Sequence, residues 1–177
     1  MTEHIIIAGS GGQGIILLGK VLAEAAMRGN KHVTWMPSYG AEVRGGTAHC
    51  MVIISDEEIG SPCIDKADTL IAMNDSSYER FQLRVKKNGL FIINTSLVLR
   101  ELKNTAHRAG YPFTDIAMGL GNIKIANMVA LGCFLAKKKI FDKELALSTI
   151  EAIAPPGKKD LVAINKEAVL RGAGLIK

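Results

Sequence analysis

Apolar positions along the chain gather into short continuous runs separated by stretches with helical spacing. That is the pattern of strands buried on both faces between helices. His4-Ile5-Ile6-Ile7-Ala8 is the first such run, mostly β-branched and uninterrupted. It leads into Gly9-Ser10-Gly11-Gly12-Gln13-Gly14, after which Ile15, Leu18, Val21, Leu22 and Ala25 recur on one helical face until Gly29-Asn30 ends the helix. His32 to Met36 predicts a second strand and Thr47 to Ser55 a long third one. The connection between them, on the order of ten residues, has no helical pattern, so an ordinary βαβ crossover does not join them. An antiparallel pairing and a mixed sheet are expected.

Asp68 to Met73 reads as another buried strand, and Asn74-Asp75-Ser76-Ser77 as caps for a short amphipathic helix from Tyr78 to Val85. Asn88-Gly89 predicts a turn into a strand from Leu90 to Asn94. Leu97 to Leu102 fits no single element. Pro112 to Ala117, approached through Gly110-Tyr111, reads as a short strand. Asn122 to Ala136 is apolar nearly all round and predicts a buried helix. Asn127 inside it must find a partner, and Gly132 permits a close approach; core packing accounts for both. Asp142 caps a helix from Lys143 to Ile153 that Pro155-Pro156-Gly157 stops. Lys158 to Leu170 forms the last helix, with Leu161, Ile164, Ala168 and Val169 on one face and Gly172 and Gly174 loosening its end. The expected fold is one α/β domain over residues 1–177, three-layer and Rossmann-like, with a mixed, mostly parallel sheet.

Composition narrows the function. A chain of 177 residues can bury roughly 70% of its unfolded surface. No apolar run reaches the ~18 residues of a membrane span, and the amino terminus lacks the basic and apolar regions of a signal peptide. Three cysteines, Cys50, Cys63 and Cys133, without C-x-x-C spacing suit neither a disulfide framework nor a zinc or iron–sulfur site. Reduced, mostly buried thiols in the cytoplasm are expected. The net charge of +5 comes from short lysine runs at probable element ends. With 5% aromatic residues and no basic stripe interleaved with stacking groups, nucleic acid is not an expected partner.

Two segments are candidates for function. Gly9, Gly11 and Gly14 match G-x-G-x-x-G between a strand and a helix, where glycines let a ligand or another backbone come close and a helix N-terminus favours an anion. A dinucleotide site also wants an acid about 20 residues on, yet no Asp or Glu occurs between Glu24 and Glu42. Anion binding and plain tight packing therefore both stand for this turn. The second segment runs from Pro37 to Ala48. Its Glu42 and Arg44 are not turn chemistry, and Ser38, Tyr39 and Thr47 add hydroxyls among Gly40, Gly45 and Gly46. His49 reads as a core or edge histidine. No nucleophile elbow, metal pair or Walker lysine appears, so the chain looks like part of something larger. A free-standing NAD(P)-binding oxidoreductase and a non-enzymatic interaction module are the competing readings.

Gly9-Ser10-Gly11-Gly12-Gln13-Gly14 followed by Pro37-Ser38-Tyr39-Gly40-Ala41-Glu42-Val43-Arg44-Gly45-Gly46-Thr47-Ala48 resembles the gamma subunit of 2-oxoacid:ferredoxin (acceptor) oxidoreductases, the pyruvate/ketoisovalerate oxidoreductase gamma domain family. Asn127 to Gly132 and Asn165-Lys166-Glu167-Ala168 with Gly172 resemble later blocks of that family. The resemblance implies a complex that oxidatively decarboxylates a 2-oxoacid to an acyl-CoA and CO2. Thiamine diphosphate would lie on alpha and beta chains, iron–sulfur clusters on beta and delta-type chains, with ferredoxin or a similar acceptor. The gamma chain would hold no cofactor alone and would complete the assembly near coenzyme A. It implies binding roles for Gly9, Gly11, Gly12, Gln13, Gly14, Ser38, Tyr39, Glu42, Arg44, Gly45, Gly46 and Thr47. Arg44 would pair with an anionic group of coenzyme A or a partner carboxylate, oriented by Glu42. The 2-oxoacid itself is not encoded in this chain; a gamma domain standing alone leans slightly toward 2-oxoglutarate.

Overall fold

A computed structural model describes residues 1–38, 47–100 and 107–176. Among these residues six strands form one sheet: β1 (Thr2–Ser10), β2 (His32–Pro37), β3 (Thr47–Ser55), β4 (Ala67–Ala72), β5 (Val85–Asn94) and β6 (Arg108–Tyr111). Their order is β2-β3-β1-β4-β5-β6. β1, β4, β5 and β6 pair in parallel, whereas β3 runs antiparallel to both β1 and β2. The mixed sheet expected from the short Met36–Thr47 connection is thus present, with three of its five pairings parallel.

The sheet is the middle of three layers because its strands alternate between two cores. Ile5 and Ile7 of β1 and Cys50, Val52 and Ile54 of β3 enter the larger core. Ile6, Ala8, Met51 and Ile53 point the other way. On the larger side lie α1 (Ile15–Arg28), α3 (Phe113–Gly119), α4 (Ala126–Lys138), α5 (Lys143–Ile153) and α6 (Lys159–Ala173). The smaller side is covered by α2 (Asp75–Phe81) together with Ile59, Ile64 and Val98.

α4 is buried from Ala126 to Leu135, as its apolar circumference requires. Its crossing with α6 depends on two glycines: a Cβ on Gly132 would enter the Val169 carbonyl, and one on Gly172 the Val129 carbonyl. Gly172 therefore seats a helix crossing and does not loosen the chain's end. On α6, Ala168 and Val169 are buried, but Leu161 is exposed.

Several local expectations are corrected. The helix after Asn74 stops at Phe81 and gives way to a 3-10 turn at Gln82–Arg84, so Val85 already belongs to β5. Asn88-Gly89 is no turn. It lies within β5 where the register to β4 shifts, and a Cβ on Gly89 would press on the Asp68 carbonyl. Residues 112–117 do not form a strand. β6 ends at Tyr111, Pro112 takes the cap position, and α3 follows because Phe113 and Ala117, four apart, share a buried face. Asp142 stands at the cap of α5 without a side-chain capping bond.

Candidate functional site

The parallel strands β1, β4, β5 and β6 finish at one end of the sheet, and this is where the glycine turn lies. In open α/β sheets that end is the usual location of ligand crevices. β1 closes at Ser10 and α1 opens at Ile15, with Gly14 left-handed at φ 68° in the cap position. No acidic residue occupies the first turn of α1, so nothing of its own opposes an approaching anion there.

The glycines of this turn divide into two kinds. A Cβ on Gly9 would collide with Ile15 and Gln13, and one on Gly14 with the Asn127 amide. Packing alone explains those two. Gly12 is different: it adopts φ 89°, is exposed, and open space surrounds its would-be Cβ. Gly11 beside it is also exposed. The turn therefore has a packed base and an open apex.

Amide side chains hold the base. Gln13 Oε1 accepts from the Ser10 N–H at 2.7 Å, and Gln13 Nε2 donates to the Met73 carbonyl just beyond β4 at 3.3 Å. Asn127 Nδ2 donates to the Gly14 carbonyl at 2.9 Å, which supplies the partner its burial demands. Asn74 donates to the Ser10 hydroxyl and caps α2 by accepting from Ser77 N–H at 3.0 Å. Fully buried Asn94, at the end of β5, donates to the Met73 carbonyl at 3.0 Å and to Thr114 Oγ1 at 2.8 Å, and accepts from Thr114 N–H at 3.2 Å. Asn94 and Thr114 carried no functional reading in the sequence. The available signal was an amide residue closing each of two apolar runs, Asn74 after β4 and Asn94 at the tip of β5.

The second candidate segment is anchored at the same end. Thr47 opens β3 directly opposite Ser10 of β1, and Ser38 N–H donates to the His49 carbonyl at 2.9 Å, extending the β2–β3 ladder. Ser38 and Thr47 are half-buried. Tyr39, Glu42, Arg44, Gly45 and Gly46 lie outside the described residues. His49 is half-buried with its ring 4.9 Å from Phe81 on the α2 side of the sheet, as a core or edge histidine should be.

Two cofactor classes fit these residues poorly. Dinucleotide binding loses more than its acid, because antiparallel β3 separates β2 from β1 and removes the neighbouring strand end that would carry it. The Cys50 and Cys133 thiols are pushed up to about 12, in both cases chiefly by burial, which keeps them protonated. Cys63 is exposed elsewhere, and among the described residues no three His, Cys, Asp or Glu side chains gather to hold a metal. No helix among them is long and apolar enough to cross a membrane.

A family model for pyruvate ferredoxin/flavodoxin oxidoreductases matches residues 4–175. The ketoisovalerate oxidoreductase subunit VorA of Methanothermobacter marburgensis is 35% identical over 170 residues, covering 96% of this chain. The chain spans only 36% of that relative's length. The keto/oxoacid ferredoxin oxidoreductase gamma subunit of Geobacter sulfurreducens superposes with a TM-score of 0.84 at 29% identity, covering 98% of both chains. The 2-oxoglutarate:ferredoxin oxidoreductase of Magnetococcus marinus, solved with 2-oxoglutarate, coenzyme A and succinyl-CoA bound, superposes with a TM-score of 0.87 at 27% identity, covering 99% of this chain and 31% of that one. Sheet order, glycine turn and these likenesses agree: the chain belongs to the pyruvate ferredoxin/flavodoxin oxidoreductase family, with the fold of its gamma subunits.

Proposed function

We propose that this chain is the gamma subunit of a multi-subunit 2-oxoacid:ferredoxin oxidoreductase, that residues 1–177 act as one gamma-type domain, and that the complex works in the cytoplasm. Thiamine diphosphate and iron–sulfur clusters on alpha, beta and delta-type chains would supply decarboxylation and electron transfer. Here the chain presents its open glycine apex, and the segment between Ser38 and Thr47, to those chains and to coenzyme A. Arg44 pairs with an anionic group of coenzyme A or with a partner carboxylate, and Glu42 orients it. 2-Oxoglutarate is the favoured substrate, in line with the bound ligand of the Magnetococcus relative.

The observation that carries this reading is the Ser10–Thr47 pairing. It brings the start of β3 beside the glycine turn, so both candidate segments leave the sheet at one rim. The separation of β2 from β1 argues against a dinucleotide held by this chain. Co-expression with candidate alpha, beta and delta-type chains should give a co-purifying complex that turns over 2-oxoglutarate, while this chain alone does nothing. Arg44→Ala should then weaken assembly or raise the apparent KM for coenzyme A by about tenfold. Turnover by the isolated chain, or Arg44→Ala with both properties intact, contradicts the proposal. The packed base at Gly9 and Gly14 favours a second reading in which the turn only meets a partner backbone; a coenzyme A KM unaffected by change at Gly12 would select it.

A further inference from the structure

The last helix carries more apolar surface than the core takes up. Of Leu161, Ile164, Ala168 and Val169, which share one face of α6, only Ala168 and Val169 are buried, and Leu161 is 45% exposed. Leu17, on the first turn of α1, is 43% exposed. These two leucines line one cavity of about 130 Å3 between α1, α5 and α6, floored by buried Val21, Met128 and Ile150. Asn165 is the one polar residue in its lining. It is half-buried, and no hydrogen bond engages its side-chain amide among the described residues. An unbonded amide in an otherwise apolar socket keeps both a donor and an acceptor for an incoming backbone.

Ala154, Pro155 and Val162 line both this socket and a wider cleft of about 620 Å3. Lys158, Lys159 and Lys166 line the cleft against a single carboxylate, Glu151, which Lys166 already holds at 2.6 Å. Lys158 and Lys159 are exposed and have no carboxylate partner among the described residues. The surface thus has two adjoining parts, an apolar hole and a shelf of uncompensated positive charge.

Size and charge choose among the occupants. The socket is well below the roughly 300–1,000 Å3 of small-molecule sites. A dry cavity of about 150 Å3 accepts a benzene, so this one suits a single large side chain. A second copy of the chain fits badly, because a two-fold contact here would set Lys158 and Lys159 against their own equivalents. We propose that this groove docks an acidic segment of a partner protein. One large apolar side chain of the segment fills the socket, and the carboxylates beside it meet Lys158 and Lys159. Asn165 bonds the segment's backbone and fixes its register, while Leu17 and Leu161 flank the anchor and keep water from it. The inference does not depend on whether that partner is an oxidoreductase chain.

A random peptide library panned on the full chain, with fluorescence anisotropy on the peptides it returns, tests this. The peptides should carry a Leu, Phe or Trp close to Asp or Glu, and their affinity should fall as salt rises. Leu161→Asp should weaken them about tenfold or more. Lys158→Glu with Lys159→Glu should weaken them about tenfold at low salt and remove the salt dependence. Asn165→Ala should cost about fivefold. Leu161, Lys158 and Lys159 are exposed, so those variants should fold, and an unchanged melting temperature checks that. A library that returns no consensus, peptides without acidic residues, or peptides that bind the Leu161→Asp chain equally well would each overturn the inference. Self-association that Leu161→Asp abolishes would also overturn it, by giving the groove to a second copy.

Discussion

The two ends of the sheet are held together by different chemistry. At the end where β1 and β4 begin, the ties are charged. Buried Glu3 meets Lys138 at 2.8 Å and accepts from Thr69 Oγ1 at 2.6 Å. Asp68 takes Lys86 at 2.7 Å, with the His4 N–H and ring nitrogen both at 3.0 Å. Asp56 joins Lys31 to the amino terminus. At the glycine end the strand tips are tied by neutral amides, Gln13, Asn74, Asn94 and Asn127, and charge enters beside them where Arg100 bridges Asp75 and Glu79 of α2. An amide both donates and accepts without net charge, so the strand tips at one end are fixed by neutral bonds while those at the other are held by charge.

The contrast can be broken most severely at Asn94. Asn94→Leu strips Thr114 and Met73 of buried partners and should lower stability by about 3 kcal/mol in urea unfolding, with a loss that does not depend on pH between about 4 and 8. At the charged end, Glu3→Leu leaves Lys138 without its carboxylate. Because Lys138 reaches solvent in part (its side chain is 26% exposed), the same measurement should show a smaller loss, about 1–2 kcal/mol. The smallest effect sharpens the contrast through pH. Burial alone would raise the pKa of Asp68, but hydrogen bonds from Lys86 and His4 outweigh it and hold the group low. Lys31 and the amino terminus hold Asp56 near 2, against its ordinary 3.8. Carboxylates depressed in the folded state contribute stability above their unfolded pKa and lose it as pH falls through the folded one. Midpoints of unfolding should therefore fall between about pH 4 and pH 2. Asp56→Asn with Asp68→Asn should flatten that decline, whereas Asn94→Leu should leave its slope in place.

Regular elements were legible wherever a residue's own neighbours decide its conformation. The uninterrupted Ile5-Ile6-Ile7 run, the glycines after it and the helical spacing from Ile15 all describe one strand–turn–helix unit. The short connection before Thr47 fixed the antiparallel sense of β3. The failures arose where distant packing outweighs local preference. Phe113 and Thr114 favour strands by propensity, but burial of Phe113 and Ala117 and the bonds of Thr114 to Asn94 select a helix. Asn88-Gly89 has turn chemistry, yet β4 recruits it into an irregular strand.

The candidate site divides in the same way. Its glycines and the residues flanking the second segment could be named from the chain. Its supporting amides could not, because Asn127 and Gly14 are brought together only by the folded layers. Asn94, which ends an apolar run ahead of Thr95 and Ser96, gave no hint of Thr114 on α3.

One feature of the sheet carries further than the site itself. Thr47 to Ser55 aligns with Thr2 to Ser10 through nine consecutive pairs without a bulge, and His32 to Pro37 zips onto the other side of the same strand. Both stumps of the 38–47 connection are therefore clamped by ladders that owe nothing to what lies between them. That stretch could be exchanged wholesale, as one changes the bit of a drill, leaving the chuck untouched.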